Sequence, residues 1–274
     1  MMLLACDGVT KTFTDPVSGT RVEAVRDLTF SVRQEEFVCI IGANGCGKTT
    51  LLHMIAGFER PTRGTIRVRG EEIDGPSPER GMVFQELSLF PWKTVAENVE
   101  FGLKVQGWNR KRRREITDEY LRIVGLGELG GARVHELSGG MQKKAAIART
   151  LVMDPELLLM DEPFGAMDEQ TRAQLDSELL RIWEHRRKTV VFVTHSIEEA
   201  LMLADRILVL TPGPGTIGLE MRLDGSRPRD TFSPDMIDLR GRLSSELAVD
   251  RGAEARNTVR KSASGRIGPS RSIP

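Results

Sequence analysis

The stretch FVCIIGANGCGKTTLLHMIAG, residues 37–57, joins three elements in a fixed order. The apolar run from Phe37 to Gly42 predicts a buried strand, and the apolar spacing from Lys48 to Gly57 predicts a helix. Between them Gly42 to Thr49 fits GxxxxGK[ST]. Glycines 42, 45 and 47 are expected to take positive φ and to bring successive N–H groups onto phosphate oxygens, where the following helix adds its open N-terminal donors and dipole. Lys48 supplies a mobile charge for β and γ phosphates, and the Thr49 hydroxyl is placed to ligate magnesium. Asn44, Cys46 and Thr50 complete the cradle, in which the backbone makes most of the contacts. A strand, this loop and a helix in register outweigh an incidental Lys-Thr pair after a glycine turn, so the chain is expected to bind a nucleoside triphosphate with Mg2+.

Such a loop needs an acidic partner for the metal. Leu157-Leu158-Leu159-Met160 predicts a second buried strand, and its end delivers Asp161 and Glu162 to the rim where a doubly wound sheet binds ligands. Successive side chains point apart, so Asp161 is expected to reach the magnesium shell and Glu162 to act on the attacking water as general base. Gly81 to Phe84 and Thr189 to Thr194 read as further strands, each followed by helical or loop sequence, which predicts a mostly parallel core sheet of the α/β class. Leu3 to Phe13 and Val22 to Val32 alternate apolar and polar residues around a turn at Asp15, Pro16, Ser18 and Gly19, as antiparallel strands do.

Composition limits the alternatives. The 274 residues carry 39 Lys and Arg against 39 Asp and Glu, so no net field draws the chain toward nucleic acid or anionic lipid. No apolar run approaches the roughly 18 residues of a membrane span, and Met1 to Ala5 lacks the basic flank and apolar core of a secretory signal. Cys6, Cys39 and Cys46 show no CxxC or zinc-ligand spacing, which points to a reducing cytosol and away from structural metal. At Cys46 a small filler is preferred to a redox switch.

Leu137-Ser138-Gly139-Gly140-Met141-Gln142 opens a helical run through Leu151 and forms a second anion cradle, with a capping Ser and two glycines baring N–H groups. Here the sequence resembles the ATP-binding-cassette (ABC) signature. The resemblance implies a P-loop NTPase ABC cassette with an antiparallel β subdomain and a helical subdomain. It implies a head-to-tail homodimer in which Ser138, Gly139 and Gly140 of one subunit close on the ATP of the other. Gln85 resembles the Q-loop glutamine that touches magnesium and water; Gly165-Ala166-Met167-Asp168 resembles the D-loop; His195, before a Ser196-x-x-Glu199 capping box, resembles the switch histidine; Phe13 matches the aromatic that stacks on adenine. Met141-Gln142-Lys143-Lys144 and Met167 depart from the commoner pattern and leave the phosphate chemistry intact.

The resemblance extends from about residue 3 to 210. The expected organisation is a nucleotide-binding core at 1–86 and 151–210, a helical subdomain at 87–150, an appendage at 211–250 and a disordered basic tail at 251–274, with six basic residues against Glu254. Leu89-Phe90-Pro91-Trp92, the turn Pro212-Gly213-Pro214-Gly215 and Arg227-Pro228-Arg229-Asp230 are similar to strings of the nitrate, sulfonate and taurine importer ATPases. That likeness implies an ATPase subunit on the cytoplasmic face of the membrane, partnered by transmembrane permease subunits and, through them, by an extracytoplasmic solute-binding protein. Leu89, Phe90 and Trp92 then line a groove for the permease, or else form local core under the helical insertion. The run Arg110 to Arg114 reads as a solvated helix face offset by Glu115, Asp118 and Glu119, so no nucleic acid is expected. An exporter or lipid-moving ATPase, and a cassette acting on nucleic acid or ribosomes, remain the alternatives.

Overall fold

A computed structural model describes residues 1–247 apart from 166, 226, 228, 230 and 232; the basic tail lies outside the described residues. The first strands are β1 (Met2–Thr14), β2 (Arg21–Arg33) and β3 (Phe37–Gly42), followed by α1 (Lys48–Ala56), β4 (Arg63–Val68), β5 (Glu71–Glu72) and β6 (Arg80–Val83). Helices α2 (Val95–Val99), α3 (Phe101–Val105), α4 (Arg110–Ile123) and α5 (Gly139–Leu151) come next. Then β7 (Leu157–Asp161), α6 (Glu169–Arg186), β8 (Thr189–Thr194), α7 (Ile197–Leu203), β9 (Arg206–Leu210) and β10 (Ile217–Arg222) alternate, and a last helix, α8, covers 234–247.

The core sheet runs β10-β9-β3-β8-β7-β6, parallel throughout except for the antiparallel edge strand β10. Every residue of β3, β7, β8 and β9 is buried, because helices cover both faces; that is why these strands read as continuous apolar runs. One face packs on α1 through Leu51, Leu52 and Ile55, together with Leu4, Val9, Leu28 and Val32 from the antiparallel sheet β2-β1-β4-β5. The other face packs on α5, α6 and α7. Parallel order puts the C-terminal ends of β3, β7 and β8 side by side, which delivers the phosphate loop, the carboxylate pair and His195 to one rim.

The region from Val95 onward is helical but broken. Thr94 and Glu97 form a reciprocal capping box that starts α2, Gly107 at φ +79° turns the chain after α3, and the Asn109 side chain caps α4. The basic run at the start of α4 is partly offset by carboxylates: Arg112 faces Glu115 at 3.4 Å, Arg113 faces Glu100 at 3.2 Å and Arg114 faces Asp118 at 3.9 Å.

Of residues 211–250, expected as an appendage, the described ones contribute β10 to the core sheet and lay Met236 and Leu243 of α8 into its core. Two arginines clasp this segment. Arg227 pairs with Asp205, lies 4.3 Å from the Trp183 ring centroid, and is 7% exposed at its side chain. Arg229 donates to the Leu201 and Ala204 carbonyls at 3.4 and 2.7 Å, satisfying the C-terminal end of α7. Pro228 and Asp230 of that string lie outside the described residues.

Candidate nucleotide-binding site

Gly47 is the N-cap of α1 at φ +94°, and a Cβ there would meet Val25 Cγ1 at 2.4 Å and the Ala24 carbonyl at 2.7 Å. Gly45 also has positive φ, at +79°. Gly42 does not: it continues β3 and is glycine for space, since a Cβ would stand 2.7 Å from both Cys46 Sγ and the Leu210 carbonyl oxygen. The expectation of positive φ at all three glycines is corrected there. No side chain caps α1 and no acid sits in its first turn, so its N-terminal donors face the loop. Lys48, 5% exposed, donates from Nζ to the Gly42 and Ala43 carbonyls at 2.8 and 3.0 Å. The ammonium thus spans the loop and ties its two ends together.

The Thr49 hydroxyl donates to Asp161 Oδ1 at 3.2 Å. Burial raises the Asp161 pKa, partly opposed by that hydrogen bond. A buried carboxylate and a hydroxyl within 3.2 Å are hard oxygen donors of the kind magnesium takes, so the donor set fits the ion. Glu162 turns away at φ +39°, with its N–H donating to the Val193 carbonyl at 2.9 Å. Its Oε2 lies 3.1 Å from His195 Nδ1. Gln85 lines two adjoining clefts with Glu162 and Asn44: one of about 590 Å3 that includes Gly42, Gly165 and His195, and one of about 390 Å3 that includes Lys48, Thr49 and Thr50. Ala24 of β2 walls the second, a residue that sequence reasoning did not single out.

Behind His195 lies a buried ionic cluster. Ser196 caps α7 by accepting from the Glu199 N–H at 3.2 Å, but the reciprocal half of the expected capping box is not made. Glu199 instead accepts from the Thr194 hydroxyl and faces Arg172 Nε at 3.7 Å, because a carboxylate 4% exposed is better matched by an inward arginine than by a rim amide. Arg172 also donates to the Met167 carbonyl at 2.9 Å. Asp176, 3% exposed, sits beside this pair with Oδ1 unpartnered among the described residues. Burial and then the Glu199 charge push its pKa up to about 8, with Arg172 opposing. Between the ordinary 3.8 and about 8 the native carboxyl keeps a proton that the unfolded chain has lost, so stability falls as pH rises through that window. Asp176→Asn removes this titration. Its Tm is expected to exceed that of the unaltered chain at pH 8, by roughly 2–4 °C per kcal/mol recovered, with the gap narrowing toward pH 5. A gap independent of pH in thermal melts would exclude the assignment.

Other expected residues lie apart from the clefts. Ser138 caps α5, accepting from the Met141 N–H at 3.3 Å, and Gly139 and Gly140 begin an acid-free first turn; none of the three lines either cleft. Asp168 caps α6 through the Thr171 N–H, and that hydrogen bond lowers its pKa. Phe13 is 41% exposed at the end of β1 with Lys11 Nζ 4.9 Å from its ring centroid, also outside both clefts. Trp92 is 69% exposed, while the Phe90 ring packs tilted against Phe101 with centroids 4.7 Å apart and Leu89 packs on the core.

A mainly parallel sheet carrying this loop, these carboxylates and a second glycine-opened helix defines a phosphate-loop nucleotide-binding protein. The family model described as ABC transporter matches residues 25–165. The chain is 46% identical over 240 residues to an uncharacterized ABC transporter ATP-binding protein of Methanocaldococcus jannaschii, covering 88% of this chain and 89% of that one. It is 48% identical over 213 residues to a nitrate import ATP-binding protein of Synechocystis sp., with 78% and 79% covered, and 45% identical over 229 residues to a taurine import ATP-binding protein of Pelagibacter ubique, with 81% and 86% covered. Among solved structures, a dimeric post-hydrolysis ATP-binding cassette bound to ADP and Pi superimposes with a TM-score of 0.71 at 30% identity, covering 82% of this chain and 100% of that one. The chain belongs to the ABC transporter ATP-binding family and is an ATPase of an ABC system.

Proposed function

We propose that the chain powers a multi-subunit importer, taking up a small oxyanion or sulfonate such as nitrate or taurine. Two copies pair head to tail, so that Ser138, Gly139 and Gly140 of one subunit complete the site formed by Lys48 of the other, with Asp168 at the seam. The observation that carries the importer reading is the exposed Trp92, with Phe90 and Leu89 directly behind Gln85 in the chain, on a protein whose relatives include named nitrate and taurine import subunits. No described helix is long and apolar enough to cross a membrane, which fits a peripheral subunit borrowing its permease.

In this reading Phe13 stacks on adenine, and the loop Gly42, Asn44, Gly45, Cys46 and Gly47 with Lys48, Thr49 and Thr50 binds the phosphates through backbone N–H groups and one ammonium. Thr49, Asp161 and Gln85 would hold magnesium, which when bound neutralises charge on the phosphate oxygens. Glu162 takes the proton of the attacking water, and His195, 3.1 Å from it, orients the carboxylate and contacts the γ phosphate. Gln85 reports the γ phosphate to the Leu89–Trp92 surface, which moves the permease.

Reconstitution with a permease that co-purifies with the chain and with its solute-binding protein tests the assignment. ATP hydrolysis should rise in proteoliposomes only when the binding protein carries its solute, with nitrate and taurine as the first solutes assayed. Stimulation without any binding protein would support the exporter alternative, and recovery on ribosomes or DNA with no permease would overturn transport itself.

A further inference from the structure

Helix α5 starts at the signature residues and grips β6 and the segment that follows it at three points. Lys143 Nζ donates to the Gln85 carbonyl at 2.6 Å, Arg149 Nη1 donates to the Ser88 carbonyl at 2.6 Å, and the Thr150 hydroxyl donates to the Met82 carbonyl at 3.3 Å. The guanidinium of Arg149 also lies 5.7 Å from the Phe90 ring centroid. Ser88 stands at φ +46°, a left-handed backbone that is uncommon for a residue other than glycine.

Lys143 differs from its neighbours in how it is placed. It is 6% exposed, and burial lowers its pKa, whereas Lys144 beside it reaches a carboxylate of Glu178 at 2.8 Å. Among the described residues no carboxylate pairs with Lys143, and its observed acceptor is the neutral backbone oxygen of Gln85. A buried ammonium with such a partner is a poor stability device, since desolvation of the charge is large and a single neutral acceptor offsets little of it. What the arrangement does supply is stiffness. A charge-assisted bond is short and directional, and moving the Gln85 carbonyl by about an ångström would strand the cation.

We propose that Lys143 is a positioning residue for Gln85: its buried Nζ ties the glutamine backbone to the helix bearing Ser138, Gly139 and Gly140, so that engagement of the signature end sets where the Gln85 side chain stands in the cleft. This rests on the reading of Gln85 as the residue that contacts the γ phosphate and water. It assigns a role to a lysine that departs from the commoner signature pattern.

The test is a double-mutant cycle on steady-state ATP hydrolysis by the full chain. Lys143→Met is expected to lower kcat by roughly 10- to 100-fold with KM for ATP within about twofold, since the phosphate loop is untouched. Gln85→Ala should cause a comparable fall, and the double variant should be no slower than the slower single variant, because one residue acts through the other. Lys143→Gln, a neutral donor, should restore part of the rate, and it replaces Lys143→Met in the cycle if the latter fails to fold by thermal melt. A Lys143 variant within twofold of normal kcat, a matching rise in KM, or multiplicative losses in the double variant would each overturn the proposal. If Gln85→Ala is itself silent, the reading of Gln85 falls first; if Gln85→Ala is slow and Lys143→Met is not, this inference alone falls.

Discussion

Glu162→Gln should lower ATP turnover by on the order of 10²- to 10⁴-fold while leaving ATP affinity within about twofold, the range expected for loss of a general base. The substitution is nearly isosteric, so the backbone at φ +39° and its hydrogen bond to Val193 need not change. What changes is the acceptor. A carboxylate oxygen 3.1 Å from His195 Nδ1, at the mouth shared by both clefts, is replaced by an amide that cannot take a proton from water. In the proposed site the phosphate cradle is built from other atoms, the loop N–H groups and Lys48, so binding and chemistry should separate. Calorimetric ATP titration paired with phosphate-release kinetics reads both quantities on one preparation. Near-normal phosphate release by the variant would remove Glu162 from the role, and a parallel loss of affinity would show that the side chain shapes the cradle instead.

The parts of this molecule that a sequence displays well are those where one physical requirement determines residue type. β3, β7 and β8 are legible because burial on both faces demands unbroken apolar runs, and the parallel order follows from the helices between them. The phosphate loop is legible because close backbone approach demands glycine. Which demand each glycine meets is not visible: Gly47 needs its torsion and Gly42 needs its missing Cβ, and both are written with the same letter. The breaks between α2, α3 and α4 depend on small local choices at Thr94, Gly107 and Asn109 that weigh little against a long helical pattern. Spacing located the start of α7 at Ser196, yet the Glu199 side chain answers to Thr194 and Arg172, partners fixed only by tertiary structure. Arg227 is the same lesson at longer range, because its place is set by Asp205 and Trp183 on other elements. Lys143 did leave a trace: it is a lone cation on the buried face of a helix whose neighbours there are Ala146, Ile147 and Thr150.

Lys48→Ala should weaken ATP binding by on the order of 10²-fold or more, because it removes the cation from the cradle and leaves the phosphate charge to backbone dipoles alone. In a chain with 39 cations and 39 anions no general field compensates for that loss. The present contacts sharpen the expectation: Nζ donates to both Gly42 and Ala43, so truncation also deprives the loop of its internal tie and the two carbonyls turn toward the incoming phosphates. Arginine is no substitute at a position 5% exposed, where a planar fork has no room. Isothermal titration measures the loss, and unchanged affinity would sink the phosphate-loop assignment. The same variant decides how the second cradle at Ser138 is used. Ser138 stands outside both clefts of its own subunit, so a site that needs it must draw it from another copy. Mixing Lys48→Ala with an inactive Ser138→Arg chain then gives heterodimers with one intact composite site. Random pairing makes these half of all dimers, so about a quarter of the normal site number should regain ATP hydrolysis. A cis site predicts no recovery at any mixing ratio, because every chain in the mixture carries one of the two lesions.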